Sequence, residues 1–222
     1  MAGTITALVA QKKNRNRVSV FLDGKFAFGL AAIEATRLRR GQALSDAEID
    51  RLRERDSAET AHERALRFLS FRPRSEAEVR RNLEEARAAP DAIDAVIARL
   101  KRVGLVDDRA FVQYWLENRG QFSPRSARAL QAELRRKGIP AEAIDEALQA
   151  TRHDEDAAAL QAALPRARRL ADLELREFSQ KLAAFLMRRG FDYEVARQAV
   201  SQAWQAVHGA PSDSAFDTIS ED

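Results

Sequence analysis

The sequence lacks cysteine altogether and holds only three histidines, His62, His153 and His208, which lie far apart. Without cysteine there is no disulfide, no thiolate nucleophile and no sulfur ligand for a metal. A glycine-rich phosphate loop and a nucleophile elbow are missing as well. Asp107 and Asp108 resemble a carboxylate pair, but they stand where a helix is predicted to begin, so capping is the better interpretation. We therefore expect a protein that is not an enzyme, with no metal and no cofactor.

Long apolar runs are also missing. No stretch approaches the roughly 20 apolar residues of a membrane span. The opening Met1–Ile5 has no charged region followed by an apolar one, so no signal peptide is predicted. Hydrophobic residues make up 45% of the chain and charged residues 32%, a balance typical of a soluble, helix-rich protein. We expect a cytoplasmic location.

The formal net charge is only +3, but it is spread unevenly. The segment after His208 holds four acidic residues and no basic one, so removing it leaves +7 on residues 1–208. A basic body favours an acidic partner, either nucleic acid or an acidic protein surface. A solubilising, arginine-rich surface explains the charge equally well at this stage.

An internal repeat organises the chain. The motif at residues 71–75 (FRPRS) returns 51 residues later at 122–126 (FSPRS). Apolar residues follow each motif at the same helical spacings, and a third copy without the motif continues the pattern. Each copy has two such apolar residues, four positions apart: Val79 and Leu83, Leu130 and Leu134, and Leu182 and Leu186. Repeats of this length stack on their neighbours and present an elongated surface, so the sequence predicts three tandem three-helix repeats.

The beginning of the chain has a different pattern. Alternating apolar residues between positions 4 and 30, with Asp23-Gly24 between two runs, predict a small three-stranded antiparallel sheet. The basic connection Gln11–Arg17 (QKKNRNR) is either a phosphate contact or a solvated loop. A capping box at Ser45 and Glu48 opens a helix predicted to run to about Ser70. The predicted boundaries are 1–57, 58–106, 107–152 and 153–208, followed by a disordered acidic tail at 209–222.

Arginines separate from apolar residues on the middle helix of the second repeat. At about 100° per residue, Leu130 and Leu134 share one side, whereas Arg128, Arg135 and Arg136 lie on the other with Arg125. Arginine binds carboxylates and phosphates through paired hydrogen bonds. Because Glu84 and Glu85 dilute this pattern in the first repeat and Glu177 in the third, the second repeat carries the strongest signal. Simple solvation of a polar helix face is the alternative.

The chain also resembles the RecX family of bacterial regulators of the RecA recombinase. The resemblance lies in LRFLSFRPRSEAEVRRNL (66–83), GLVDDRAF (104–111), ALQAELRRKGI (129–139) and FLMRRGF (185–191). The first fifty or so residues, with FLDGKFAF and RRGQALSDAEI, are similar to the β-containing extension of the longer members. One departure stands out, because Arg87-Ala88-Ala89 occupies the place where the other copies have a basic residue followed by glycine.

This resemblance implies a function and an architecture. Family members modulate, and usually inhibit, the ATPase, strand-exchange and co-protease activities of RecA, and so act in DNA repair and the SOS response. They form an elongated curved array of three-helix repeats that lies in the filament groove and contacts RecA and DNA. We therefore expect a monomer that binds the RecA filament and touches single- or double-stranded DNA.

Eleven basic residues are the candidates for these contacts. The strongest are Arg125, Arg128, Arg135, Arg136 and Lys137. The weaker ones are Arg72, Arg74, Arg81, Lys181, Arg188 and Arg189. The alternative function is a helical-repeat DNA-binding protein that affects recombination only by competing for DNA.

Overall fold

The computed structural model describes residues 2–12, 14–151 and 153–209. This part divides into two compact units, one ending at Asp107 and the other beginning at Asp108. Lys13 of the basic loop and the predicted acidic tail beyond Gly209 lie outside the described residues. Within the described ranges, none of the helices has the length and hydrophobicity needed to cross a membrane.

The first unit opens with an antiparallel sheet. Its strands are β1 (Gly3–Ala10), β2 (Arg17–Leu22), β3 (Lys25–Ala31) and β4 (Ala43–Leu44), in the order β3-β2-β1-β4. Asp23 and Gly24 have φ angles of 47° and 81°, as the predicted turn between β2 and β3 requires. The fourth strand corrects the prediction of three strands. Its two residues pair with the start of β1, and so short a strand leaves no alternating pattern in the sequence.

Ten helices complete the described structure. In the first unit they are α1 (Ala32–Ala35), α2 (Asp46–Leu69), α3 (Glu76–Glu85) and α4 (Pro90–Arg102). In the second unit they are α5 (Asp108–Phe122), α6 (Ala127–Arg136), α7 (Ala141–Ala150), α8 (Glu155–Ala167), α9 (Leu175–Arg188) and α10 (Tyr193–His208), with a short 3₁₀ helix at Arg168–Leu170 after α8. The prediction of three three-helix repeats that follow an antiparallel sheet is confirmed.

Helix α2 serves two cores at once. It begins at the predicted capping box of Ser45 and Glu48. Its N-terminal half packs Ile49 and Leu52 against the sheet. Its C-terminal half supplies Ala61 and Ala65 to the core of the first repeat. A continuous helix therefore joins the sheet to the first repeat.

An ion pair fastens the sheet to α2. Arg17 Nη2 lies 2.7 Å from Asp56 Oδ2, and Arg17 Nη1 donates to Thr60 Oγ1 at 2.8 Å. The other Asp56 oxygen accepts the Ala31 amide at 2.7 Å. Because its guanidinium is used within the fold, Arg17 is not an open phosphate contact.

Each repeat buries the same two positions of its middle helix. The pairs are Val79 and Leu83 in α3, Leu130 and Leu134 in α6, and Leu182 and Leu186 in α9, all at most 2% exposed. Each pair packs in its own core, against the flanking helices of its repeat. The predicted register is confirmed in all three copies.

Aromatic residues complete the cores of the repeats. Phe111 is buried. The half-buried Phe68, Trp115, Phe185 and Trp204 pack against the core of the repeat to which each belongs. The phenylalanines of the repeated motif are different, since Phe71 and Phe122 are 78% and 71% exposed.

Ser123-Pro124 is typical of a capping serine followed by a proline at the first helical position, so it predicts that a helix begins at Pro124. The structure corrects this prediction, because α6 begins three residues later, at Ala127. Its N-cap is Ser126, whose Oγ accepts the Ala129 amide at 3.1 Å. This is the same role that Ser75 plays at the start of α3, so the repeat is preserved at the cap and Pro124 stays in the turn.

The loop after α3 keeps the shape of its counterparts without their glycine. Gly138 and Gly190 have φ angles of 81° and 95°, and Arg87 adopts 59° at the equivalent position. A non-glycine residue in this left-handed region costs roughly 1 kcal/mol. The departure of the first repeat therefore changes the residue and leaves the turn intact.

Leu134→Ala should lower the free energy of unfolding by about 2–5 kcal/mol, since it opens a cavity in a fully buried site. Urea denaturation followed by circular dichroism measures the change. The matched control is Met187→Ala on α9, where the side chain is 52% exposed and the expected loss is within about 0.5 kcal/mol. Equal losses in both variants would contradict the assigned register.

Candidate partner-binding site

Helix α6 presents arginines on the side opposite its buried leucines. Arg128, Arg135 and Arg136 are exposed, whereas Leu130 and Leu134 lie in the core. Arg128 and Arg135 form no ion pair with any residue that the structure describes, and Arg136 has an interaction within the chain. The structure therefore brings the exposed arginines predicted for this helix onto one solvent-facing surface.

A buried carboxylate organises the other arginines around α6. Glu133 is 8% exposed, and its Oε2 accepts hydrogen bonds from Trp115 Nε1 at 2.9 Å and Arg119 Nε at 2.8 Å. Its Oε1 lies 2.9 Å from Arg125 Nε. A buried carboxylate with two hydrogen-bond donors and a second guanidinium in ion-pair contact is well satisfied. Arg125 is therefore held in place by the fold, in contrast to the open Arg128.

Cations also stack on the aromatic residues beside Glu133. The Arg119 guanidinium lies 4.5 Å from the Trp115 ring centroid, and Lys137 Nζ lies 4.3 Å from the same ring. Such contacts restrict a long side chain and stabilise it by roughly 0.5–1 kcal/mol at exposed sites. Lys137 is half-buried in this arrangement. Near the C-terminal end of α6, the positively charged side chains of Arg119 and Lys137 are thus held against the Trp115 ring.

The candidate arginines of the first repeat are more involved in the fold. Arg72 pairs with Glu78 at 2.9 Å. The Arg74 guanidinium lies 3.9 Å from the centroid of the Phe68 ring, and burial lowers its pKa from the ordinary value, with Arg72 adding to the effect. Arg81 is exposed on α3. The exposed Glu84 and Glu85 on the same helix reduce the positive charge of its surface.

The third repeat contributes three candidates with different surroundings. Lys181 pairs with Glu177 at 2.6 Å on the surface of α9, whereas Arg188 is exposed. Arg189 Nη1 donates to Ser123 Oγ at 3.2 Å and to the Pro124 carbonyl oxygen at 3.0 Å. Burial lowers the pKa of Arg189, and the positive charges of Arg125 and Arg119 lower it further. Arg189 thus crosses from the third repeat to the turn that precedes α6.

Close packing fixes this junction between the second and third repeats. The Glu155 carboxylate accepts the Ala127 amide at 2.6 Å. A Cβ placed on Gly190 would lie 2.5 Å from Ser126 Oγ and 2.8 Å from Ala129 Cβ, so only glycine fits there. The N-terminus of α6 is held by residues of the following repeat. Its arginines are therefore presented on a rigid support.

Three residues of this site are not predicted from the sequence. Glu133, Arg119 and Trp115 form the network that orients Arg125. In the sequence, however, Glu133 has the pattern of an ordinary charged residue on an amphipathic helix. One signal was available, because Glu133 directly precedes Leu134 and so lies near the edge of the apolar face. Its partners are 14 and 18 residues away, which local spacing does not reveal.

Acidic and histidine side chains can bind a metal ion when several of them lie close together. Within residues 2–12, 14–151 and 153–209, no three of them are grouped so that they could hold an ion. The arrangement on α6 is instead suited to binding anionic groups through guanidinium hydrogen bonds.

Comparisons with known proteins cover most of the chain. Four family models match: the regulatory protein RecX N-terminal domain at residues 3–45, and the RecX first, second and third three-helix domains at residues 61–100, 107–148 and 154–200. Regulatory protein RecX of Bacillus licheniformis is 32% identical over 89% of this chain and 76% of its own length. The Bacillus subtilis protein of the same name is 31% identical with the same coverage.

Solved structures share the fold. A crystal structure of regulatory protein RecX aligns with a TM-score of 0.60 at 24% identity, covering 99% of this chain and 100% of that one. RecX from Lactobacillus salivarius aligns with a TM-score of 0.54 at 20% identity, covering 67% of this chain and 97% of that one. At these identities the likeness concerns architecture alone.

Glu133→Gln should lower the free energy of unfolding by roughly 1–3 kcal/mol, because Arg119 and Arg125 lose their shared counter-charge. The value is moderate because both guanidiniums are partly exposed, at 26% and 32%. Urea denaturation measures it. Glu142→Gln, at an exposed position of α7, is the matched control and should change stability by less than about 0.5 kcal/mol. An unchanged urea denaturation curve for Glu133→Gln would show that the network around Glu133 does not stabilise the fold.

Proposed function

The chain belongs to the RecX family of regulatory proteins, and from this membership we propose that it regulates the RecA recombinase by binding the RecA filament on DNA. Inhibition is the expected direction, acting on the ATPase, strand exchange and co-protease activity. This role places the protein in the bacterial cytoplasm, in DNA repair and the SOS response. We propose that it acts as a monomer and touches DNA as an auxiliary contact.

The open arginines of α6 carry this proposal. Arg128 and Arg135 are exposed, and no described residue forms an ion pair with either of them. Because the opposite side of the helix is committed to the core, these side chains are available to a partner without cost to the fold. A RecA–DNA filament repeats the same acidic groups along its length, as carboxylates of the protein and phosphates of the strand. Guanidiniums bind both.

We divide the eleven candidate residues by their surroundings. The exposed ones would contact the partner directly. They are Arg128, Arg135, Arg136, Arg81, Lys181 and Arg188. The half-buried ones would position that surface. They are Arg125, Lys137, Arg72, Arg74 and Arg189. The division into the five segments given above also stays a prediction. Helix α2 spans the first of its boundaries, between residues 57 and 58.

Repeated modules suit a polymeric partner. Three copies of one module offer several weak contacts, and linked contacts strengthen one another through effective concentration. No single deep pocket is required. The second repeat would contribute most, since its middle helix has Arg135 and Arg136 where the first repeat has Glu84 and Glu85.

Reversing the charge of two exposed arginines tests this proposal. Arg128→Glu/Arg135→Glu should weaken inhibition of DNA-dependent RecA ATPase by about tenfold or more in half-inhibitory concentration, because attractive contacts become repulsive. The circular-dichroism melt should stay within experimental error, since neither side chain is buried.

The control is Arg39→Glu/Arg40→Glu, which makes the same change of net charge at exposed positions of the N-terminal region. It should inhibit like the natural chain. Undiminished inhibition by a folded α6 variant would rule out this surface as the contact.

A second candidate function rests on the same chemistry. Guanidiniums recognise phosphate as well as carboxylate, so the protein would act by binding DNA and displacing RecA. In that case affinity for bare DNA should fall steeply with salt, as counterion release requires. Co-sedimentation with RecA filaments preassembled on saturated DNA separates the two functions. Retention of the chain on such filaments supports RecA binding, and retention only by bare DNA supports competition.

A further inference from the structure

A pocket opens in the first unit beside α2, near the C-terminal end of α3. Its volume is about 540 Å³. Its described lining includes three guanidiniums, those of Arg17, Arg64 and Arg67, and a single carboxylate, that of Glu63. Because Arg17 is already paired with Asp56, Arg64 and Arg67 supply the open positive charge of this pocket.

Part of the pocket corresponds to a filled site in the second repeat. The offset of 51 residues that relates the two motifs pairs Arg64 with Trp115, Asn82 with Glu133 and Ala86 with Lys137. The contact between the helices is equivalent in the two repeats. Arg64 Nε donates to Asn82 Oδ1 at 3.1 Å, and Trp115 Nε1 donates to Glu133 Oε2 at 2.9 Å. Since the asparagine and the alanine are shorter than their counterparts, the first repeat leaves open a space that the second repeat fills.

A carboxylate holds the filled site together. Glu133 lies 2.8 Å from Arg119 Nε and 2.9 Å from Arg125 Nε. Trp115 donates to the same carboxylate, and its ring centroid lies 4.5 Å from the Arg119 guanidinium. The second repeat thus surrounds one internal carboxylate with two guanidiniums and an aromatic ring.

The first repeat has the same groups around a neutral amide. Arg74 stands at the position of Arg125 in the repeated motif. On the first helix of the repeat, the arginine and the aromatic residue exchange places, so that Arg64 comes first and Phe68 follows four residues later. Asn82 replaces the carboxylate. Two guanidiniums and an aromatic ring are therefore present without the negative charge that they surround in the second repeat.

These guanidiniums have no ion-pair partner within the described structure. Arg64 Nε donates to two uncharged oxygens of Asn82, the carbonyl at 3.2 Å and Oδ1 at 3.1 Å. Arg67 is exposed, and no described residue forms an ion pair with it or with Arg64. Arg74 Nε is buried without a hydrogen-bond partner among the described residues. A carboxylate in the pocket would supply the missing charge through strong hydrogen bonds.

Two aromatic rings make the pocket suited to a protein segment. Phe68 is half-buried and Phe71 is 78% exposed, and both line the pocket. A carboxylate that is flanked by an apolar side chain can therefore contact the guanidiniums and the rings together. A phosphate would also suit the guanidiniums, but the equivalent groups of the second repeat hold a carboxylate. This comparison favours an acidic peptide over nucleic acid.

We propose that this pocket binds an acidic segment of a partner protein, with a carboxylate on Arg64 and Arg67 and a neighbouring apolar side chain against Phe71. Arg74 adds positive charge beside the Phe68 ring, 3.9 Å from its centroid. The second repeat fills the equivalent place with a carboxylate of its own chain. The inference goes beyond the role proposed for α6, since its test uses only this chain and a peptide.

Titration of the full chain with a short peptide tests the proposal. The probe is an acetylated six-residue peptide of alternating glutamate and leucine. Nuclear magnetic resonance follows the backbone amides and the arginine Nε–Hε groups of the ¹⁵N-labelled chain. The Arg64 and Arg67 side chains and the Phe71 amide should shift saturably. The same peptide with glutamine in place of glutamate should cause no saturable shift, because it lacks the carboxylates.

Asn82→Glu gives the first repeat the carboxylate that the second repeat has. It should raise the dissociation constant of the glutamate peptide about tenfold or more, because the built-in carboxylate occupies the guanidiniums and repels the peptide. The matched control is Ala98→Glu, which adds the same charge at an exposed position of α4 outside the pocket lining. It should bind like the natural chain. If Asn82→Glu does not fold, Arg64→Gln/Arg67→Gln removes the same attraction and should cause the same loss, read from the Phe71 amide.

Three results would overturn the proposal. They are the lack of a saturable shift at this pocket, equal shifts with the glutamine peptide, and an unchanged dissociation constant in a folded pocket variant. A six-nucleotide thymidine oligonucleotide is the comparison for phosphate and should bind here more weakly than the glutamate peptide. Tighter binding of the oligonucleotide, weakened by Asn82→Glu, would assign the pocket to nucleic acid instead.

Discussion

Burial of two side chains on each middle helix is the constraint on which the other features depend. In α3, α6 and α9 the same two positions, four residues apart, are at most 2% exposed. Once that side of the helix is fixed in the core, the opposite side must face away from it. Residues there can change without loss of core packing, which is why the first repeat has glutamates where the second has Arg135 and Arg136. One module thus yields surfaces of different charge.

The arginines of the second unit form two groups. One group makes contacts within the fold, and the other, Arg128 and Arg135, is exposed on α6 without an ion pair to a described residue. Glu133 pairs with both Arg119 and Arg125 and accepts a hydrogen bond from Trp115, so the end of α5 is tied to α6. Arg189 and Gly190 close the junction with the third repeat. Arg128 and Arg135 stay open on this rigid support. A surface whose side chains and backbone are already ordered loses less entropy on binding, which favours recognition by a few guanidiniums.

Local patterns predict most of the architecture and only part of the site. The leucine register, the turn at Asp23-Gly24 and the capping boxes at Ser45 and Ser75 depend on neighbours within a few residues, so the sequence is sufficient for them. Strand β4 has two residues and depends on pairing with β1. The choice between Ser123 and Ser126 as the cap of α6 depends on contacts with the third repeat. The partners of Glu133 are likewise tertiary, so the exposure of Arg128 and Arg135 is predictable from the sequence and the anchoring of Arg125 is not.

Hydrogen-exchange mass spectrometry of the chain, with and without preassembled RecA–DNA filaments, tests the central claim most directly. If the outer side of α6 is the contact surface, its peptides and the turn before it should exchange more slowly on the filament. The buried cores should be unaffected, since they are ordered in both states. Protection confined to the N-terminal sheet, with α6 unchanged, would contradict the account.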